Sequence, residues 1–205
     1  YEKCPEIHAM INLLHEIKEY GVQQGLPILR DSEIPLLQRI LRMAKPKKVL
    51  EIGTCIGYST LLTAQCLDDD AVITTVELSK ERSLTAQEYI NRSPYKDRIH
   101  CICGDGTEFI EHAEGPWDFV FLDGPKGQYG RQTRLLLPRL TTGAVIVADN
   151  VRYHDMIYTN GYLPHKHRTA IRKLREFTRL IEDESLFFTA VFENGDGLTV
   201  SRKKG

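Results

Sequence analysis

Three polar residues stand at the ends of two apolar runs in the second half of the chain. Phe119 to Leu122 runs into Asp123, and Ala144 to Ala148 runs into Asp149-Asn150. Two carboxylates and an amide oxygen are hard donors. Brought together they suit Mg²⁺ or a similar ion, which keeps waters or substrate oxygens in its other positions. Lys126 follows three residues after Asp123 on the same loop. An amine beside a cation can have its pKa lowered and serve as a general base, and a hydroxyl on the cation is itself acidified. Taken one at a time, these residues also suit plain turns and caps, as Asp-Gly-Pro and Asp-Asn commonly do. Chemistry requires that the two runs be neighbouring strands.

A second set of residues could hold a cofactor. Val49-Leu50-Glu51-Ile52-Gly53-Thr54-Cys55-Ile56-Gly57-Tyr58-Ser59 reads as a strand, a glycine-bearing turn and a helix start. Gly53 and Gly57 lie four apart and no lysine follows, so the segment is neither the dinucleotide fingerprint nor a P-loop. The loop is free of positive charge, which suits a zwitterionic amino-acid cofactor better than a polyphosphate. Glu77 ends the next strand, about 20 residues on, where a carboxylate can accept from both hydroxyls of a ribose. Asp105, just past the third strand, is placed to meet an adenine amino group or its surroundings.

These residues need a scaffold, and the hydrophobic pattern supplies one. Ile7, Met10, Ile11, Leu14 and Ile17 recur at helical spacing, ended by Gly21 and Gly25-Leu26-Pro27. A second helix is expected from Asp31 or Ser32 to Met43, with Ser32 as N-cap and Pro35 in its first turn. Strands and helices then alternate: strands at 48–52, 72–77, 99–103, 119–122 and 144–148, and helices at 59–66, 80–91, 107–112 and 132–140. Such alternation implies a mostly parallel sheet covered on both faces. Residues 151–164 read as a loop, 165–184 as a long basic amphipathic helix. Phe187 to Phe192 and Leu198 to Ser201 flank Asn194-Gly195-Asp196-Gly197, a hairpin signal.

Composition limits the rest. The chain has 205 residues, 41% hydrophobic and 27% charged, without repeats or linkers, which suits a single domain over 1–205 with a helical segment at 1–45. No apolar run approaches the roughly 20 residues of a membrane helix, so no membrane partner is expected. The first twenty residues lack the continuous apolar core of a signal peptide. The chain opens on Tyr1 rather than a methionine, which is compatible with a native start upstream. Cys4, Cys55, Cys66, Cys101 and Cys103 are odd in number and contain no C-x-x-C, which points away from zinc or a disulfide framework and towards a cytoplasmic setting. A formal net charge of -1 means that any nucleic-acid role must come from a local patch.

Together these motifs resemble the catechol O-methyltransferase-like enzymes, which include the caffeoyl-CoA O-methyltransferases. The residues that carry the resemblance are Leu50-Glu51-Ile52-Gly53 through Gly57-Tyr58-Ser59, Glu77, Phe121-Leu122-Asp123 with Lys126 and Tyr129, Asp149-Asn150-Val151, and the terminal Gly195-Asp196-Gly197-Leu198. The resemblance implies an α/β, Rossmann-like class I methyltransferase fold: a mostly parallel seven-stranded sheet with a C-terminal antiparallel hairpin and helices on both faces. It implies S-adenosylmethionine held by Glu51, Gly53, Tyr58, Ser59, Glu77, Asp105, Gly106 and Asp123. It also implies a divalent cation, Mg²⁺ by preference, on Asp123, Asp149 and Asn150, with Lys126 as base, and by analogy a homodimer. Two features depart from the catechol enzyme. Gly124-Pro125 replaces a His-Trp pair, and Thr199 stands where a glutamate helps grip the catechol hydroxyls.

A narrower resemblance concerns the acceptor. Asp123-Gly-Pro-Lys-Gly-Gln-Tyr129, the basic stretch after Pro164 and Gly195-Asp-Gly-Leu-Thr-Val-Ser-Arg-Lys-Lys204 are similar to the bacterial tRNA 5-hydroxyuridine methyltransferases, which make 5-methoxyuridine at the wobble position. A 5-hydroxyl beside a 4-carbonyl offers two oxygens to one metal, as a catechol does. Lys166, Arg168, Arg172, Arg175 and Arg179 supply the positive charge that tRNA phosphates require. Positions 168, 172, 175 and 179 should share one stripe, leaving Ile171, Leu174, Phe177 and Thr178 free to face the sheet. The competing acceptor is a small phenol or catechol. A protein that binds the cofactor without chemistry is a further alternative, opposed by Lys126 and the complete donor set.

Overall fold

The computed structural model describes residues 5–152, 156–159, 165–193 and 196–205. One seven-stranded sheet organises them. Its strands are β1 (Lys48–Ile52), β2 (Val72–Glu77), β3 (Ile99–Cys103), β4 (Trp117–Leu122), β5 (Leu140–Asp149), β6 (Phe187–Phe192) and β7 (Leu198–Lys203). The spatial order is β3-β2-β1-β4-β5-β7-β6. The first five run parallel, and β7 lies antiparallel between β5 and β6. Sequential strands step outward from β1 to β3, and β4 then returns to the other side of β1. Ligands of open α/β sheets bind at this reversal, beyond the carboxyl ends of the strands.

Each strand alternates between two cores because successive side chains point to opposite faces. One face carries Val49, Phe119, Phe121, Val147 and Leu198. It is covered by α1 (Pro5–Gln23), α2 (Ile34–Ala44), α3 (Tyr58–Ala64) and α4 (Lys80–Asn91). The other face carries Leu50, Ile52, Val120, Leu122, Ile146 and Ala148. It is covered by α5 (Gly106–His112), α6 (Tyr129–Leu136) and α7 (His165–Ile181). The expected fold class is present, with helices on both faces and the antiparallel hairpin at the end. Among the described residues, no helix is long and apolar enough to cross a membrane.

Several boundaries differ from the sequence expectation, each for a local reason. The N-cap of α2 is Glu33, with Ser32 exposed outside the helix. In α1 the buried stripe is Met10, Leu13 and Ile17, whereas Ile7 and Ile11 are exposed. α6 starts earlier than expected, following a 3₁₀ turn at Lys126–Gln128, and gives way to a second 3₁₀ turn at Leu137–Arg139 where Pro138 denies the helix a donor. β5 begins at Leu140 because Thr141-Thr142-Gly143 form an irregularity opposite Trp117–Phe119, with Gly143 at φ +80°. α7 ends at Ile181, after which Asp183 turns its carboxylate to the Ser185 amide and hydroxyl. Within the expected 151–164 loop, Met156–Tyr158 form a 3₁₀ turn. The hairpin closes with Phe192 opposite Leu198, and residues 194–195 of its turn lie outside the described residues.

Candidate active site

The carboxyl ends of β1, β2 and β4, with the first turn of α5, surround a cavity of about 360 Å³. Gly53 leaves β1 at φ +106°, and a Cβ there would lie 2.4 Å from the Asp123 carbonyl oxygen. Only glycine lets the turn after β1 pass against the loop after β4. Glu77, at the end of β2, is fixed by two backbone amides: Oε2 accepts from Cys55 N at 2.8 Å and Oε1 from Ser79 N at 2.9 Å. Each oxygen keeps a further lone pair, so a rigid carboxylate presents two acceptors to the cavity, as a ribose diol requires. Cys55 shares the lining, but burial pushes its thiol up to about 11, so it stays protonated and unreactive at neutral pH.

Glu51 is placed differently. Its Oε1 accepts from Ser59 Oγ at 2.6 Å, and its Oε2 accepts from the hydroxyls of Thr75, at 2.6 Å, and Thr60. Burial raises its pKa, and the three hydroxyls oppose the rise. Glu51, Tyr58 and Ser59 form a buried layer behind the cavity and are not among the residues that line it. Asp105 and Gly106 do line it. The Asp105 Oδ1 is engaged as the N-cap of α5, accepting from Thr107 N at 2.7 Å and Glu108 N at 3.0 Å.

The other end of the cavity gathers charge. Leu122 and Ala148 are register partners, so Asp123 and Asp149 leave neighbouring strands together, roughly 5 Å apart at the backbone. Asp149 is buried and its Oδ1 accepts from Asn150 N at 2.7 Å. Asn150 adopts a left-handed φ of 55° and joins Asp123 in the cavity lining. Lys126 Nζ lies 3.3 Å from Asp123 Oδ1 and donates to the Tyr129 hydroxyl at 2.8 Å. That hydroxyl, fully buried, sits 2.8 Å from the Leu122 carbonyl and 3.2 Å from that of Asp149, so it ties the ends of β4 and β5 together. Burial pushes Asp123 up to about 7, with Lys126 pulling it down and Asp149 pushing it further up.

Half-buried Asp123, in contact with Lys126, and buried Asp149 thus end neighbouring strands. The donor set fits a hard divalent cation. Among the described residues, no group of three or more His, Cys, Asp or Glu side chains is gathered closely enough to hold a metal. The fit here depends on the amide oxygen of Asn150 as third donor.

A family model described as O-methyltransferase matches residues 6–204. The chain belongs to this family. A caffeoyl-CoA O-methyltransferase of Populus kitakamiensis is 24% identical over 208 residues, covering 97% of this chain and 88% of that one. A catechol O-methyltransferase of Niastella koreensis is 29% identical over 135 residues, 63% of this chain and 61% of that one. The O-methyltransferase of Bacillus cereus, solved with S-adenosylhomocysteine, superposes with a TM-score of 0.83 at 24% identity, covering 94% and 91% of the two chains. These matches place the chain among the S-adenosylmethionine-dependent enzymes of the caffeoyl-CoA and catechol type.

In this O-methyltransferase the structure brings Gly53, Glu77, Asp105, Gly106, Asp123, Lys126 and Asn150 to one cavity, with Asp149 directly behind. Sequence reasoning missed several polar side chains, Glu33 and Gln132 among them. Glu33 is a buried carboxylate raised by burial and next by Asp149, yet in sequence it reads as an ordinary first-turn acid. Gln132, on α6, lines the cavity and belongs to no motif. On α7, Ile171, Leu174 and Phe177 are buried as expected, and Arg168, Arg172 and Arg179 are exposed. Arg175 leaves the expected stripe. Its Nε donates to the Ile157 carbonyl at 2.8 Å and its Nη2 to that of Thr159 at 2.5 Å, so the guanidinium clips the 156–159 turn to the helix. The Lys166 side chain lies outside the described residues.

Proposed function

We propose that this chain methylates 5-hydroxyuridine at the wobble position of tRNA, taking the methyl group from S-adenosylmethionine with the help of a divalent cation. The observation that carries the reading is that Asp123, Lys126 and Asn150 line one cavity together with Glu77, with buried Asp149 next to Asn150 at the end of the neighbouring strand. When bound, S-adenosylmethionine would give up its methyl group and leave as S-adenosylhomocysteine, and a cation held by Asp123, Asp149 and Asn150, Mg²⁺ by preference, would lower the pKa of the acceptor hydroxyl. Glu77 grips the ribose hydroxyls, Gly53 and Gly106 give the cofactor close passage along the backbone, and Asp123 borders both halves. Lys126, held between Asp123 and Tyr129, takes or orients the hydroxyl proton at Nζ.

Arg168, Arg172 and Arg179 on the outside of α7 support a polyanionic acceptor. The likeness to a caffeoyl-CoA and a catechol O-methyltransferase favours a second reading, methylation of a small catechol-type phenol. The two separate in one assay, in which labelled S-adenosylmethionine is offered with hydroxyuridine-containing tRNA or with a catechol, each with Mg²⁺ or a chelator. Label appearing in methoxyuridine, dependent on the cation, supports the tRNA reading. Transfer only to the phenol replaces it, and transfer in a strong chelator removes the cation. A homodimer is part of the same proposal. It is supported by a groove of about 830 Å³ between α2 and the β5-β7-β6 face, walled by Ile40, Met43, Val145, Phe192 and Val200. Light scattering that gives a monomer mass would remove it.

A further inference from the structure

Gln132 is 1% exposed, yet it forms part of the wall of the cofactor cavity beside Gly106 and Thr107. Its Nε2 donates to Thr107 Oγ1 at 3.1 Å. Its Oε1 then has no hydrogen-bond partner. Buried amide oxygens are rarely left bare, and one at a ligand cavity marks a place for a donor from the ligand.

The sheet order says which part of the ligand arrives there. Lys126 and Asp123 follow β4, Glu77 ends β2, and Thr107 lies beyond β3. A cofactor whose methyl group lies near Lys126 and whose ribose rests on Glu77 extends its base past β2 towards α5 and α6. Asp105, the residue expected to meet that base, has its Oδ1 engaged by two helix amides. We infer that the Gln132 Oε1 accepts a hydrogen bond from the exocyclic 6-amino group of the cofactor's adenine, so that Gln132 selects a 6-amino over a 6-oxo purine. This inference rests on the S-adenosylmethionine reading above. Hypoxanthine presents an acceptor at position 6 and would set oxygen against oxygen, whereas adenine pairs a donor with it.

Calorimetric titration with S-adenosylhomocysteine and with S-inosylhomocysteine tests this without turnover. The wild-type protein is expected to prefer the adenine compound by at least about tenfold. Gln132→Leu should weaken S-adenosylhomocysteine by about tenfold and leave S-inosylhomocysteine within about twofold of wild type, so the preference collapses. That second affinity also reports whether the pocket is still folded. Gln132→Glu keeps an acceptor and lets the Thr107 hydroxyl donate to it, so it should keep the preference. A wild type without preference, a Gln132→Leu variant that retains it or a Gln132→Glu variant that loses it overturns the assignment of Gln132. A wild type that binds neither compound overturns the S-adenosylmethionine reading itself.

Discussion

The two ends of the cavity treat their carboxylates in opposite ways. At the end formed by β1, β2 and α5, each acid has donors from the fold. Glu51 has three hydroxyls, Glu77 two backbone amides, and Asp105 two amides of α5. At the end formed by β4 and β5, Asp123 and Asp149 crowd together with Lys126 as the ammonium in contact, and Glu33 adds a further buried acid nearby. At one end every acid is held by donors of the fold, and at the other carboxylates lie beside one lysine. Under the proposed function, the first would serve binding and the second the chemistry.

The sharpest way to break this contrast is to remove an acid from the crowded end. Asp149→Ala is expected to lower turnover by on the order of 10³-fold, the several kcal/mol that a cation contributes to such chemistry. Its affinity for S-adenosylhomocysteine should stay within a few-fold of wild type by calorimetry. Near-normal turnover would mean that the crowding has no catalytic purpose. Lys126→Ala should reduce kcat by at least about 100-fold at neutral pH, the lower part of the range for general-base catalysis, with a smaller fall in cofactor affinity. A wild-type kcat would take the lysine out of proton transfer.

At the complete end the effect should fall on binding. Glu77→Ala is expected to weaken S-adenosylhomocysteine by about 10- to 100-fold, as for the loss of a charge-assisted hydrogen bond. Unchanged affinity would move the ribose elsewhere. The smallest effect concerns the surface beyond both ends. Arg172→Ala with Arg179→Ala should make the salt dependence of tRNA binding shallower by about one to two log–log units, at about 0.7–0.9 per phosphate contact. Methylation of a small phenol should be unaffected. An unaltered slope would make the arginines a solvated face. Arg175 is omitted from this pair because it holds the 156–159 turn, so its loss would mix packing with charge.

The parts legible in sequence were those with a strong period or a distinctive punctuation. Strand ends at Ile52, Glu77 and Cys103 were read correctly because apolar runs stop there against Gly or acid, and the topology that joins Asp123 to Asp149 follows from their alternation with helices. What escaped depends on partners that spacing alone does not reveal. The hydroxyl that Thr75, a strand away, gives to Glu51 and the two amides of its own helix that Asp105 Oδ1 accepts carry no mark in the sequence. The stripe of arginines was drawn from helical spacing alone, which cannot know that two carbonyls of the preceding turn lie beside Arg175. Gln132 was invisible because one amide side chain in a helix has no pattern, and only its unmatched oxygen in the folded chain marks it.

Gly53 carries a consequence for inheritance. Its missing side chain is what lets the turn after β1 lie against the Asp123 carbonyl, so the turn after β1 and the loop that presents Asp123 share one point of contact. In a library of random codons, every replacement at position 53 should score as a full loss, including alanine, which is mild at most surface positions. The two halves of the site can therefore drift separately in sequence only while this one codon stays fixed.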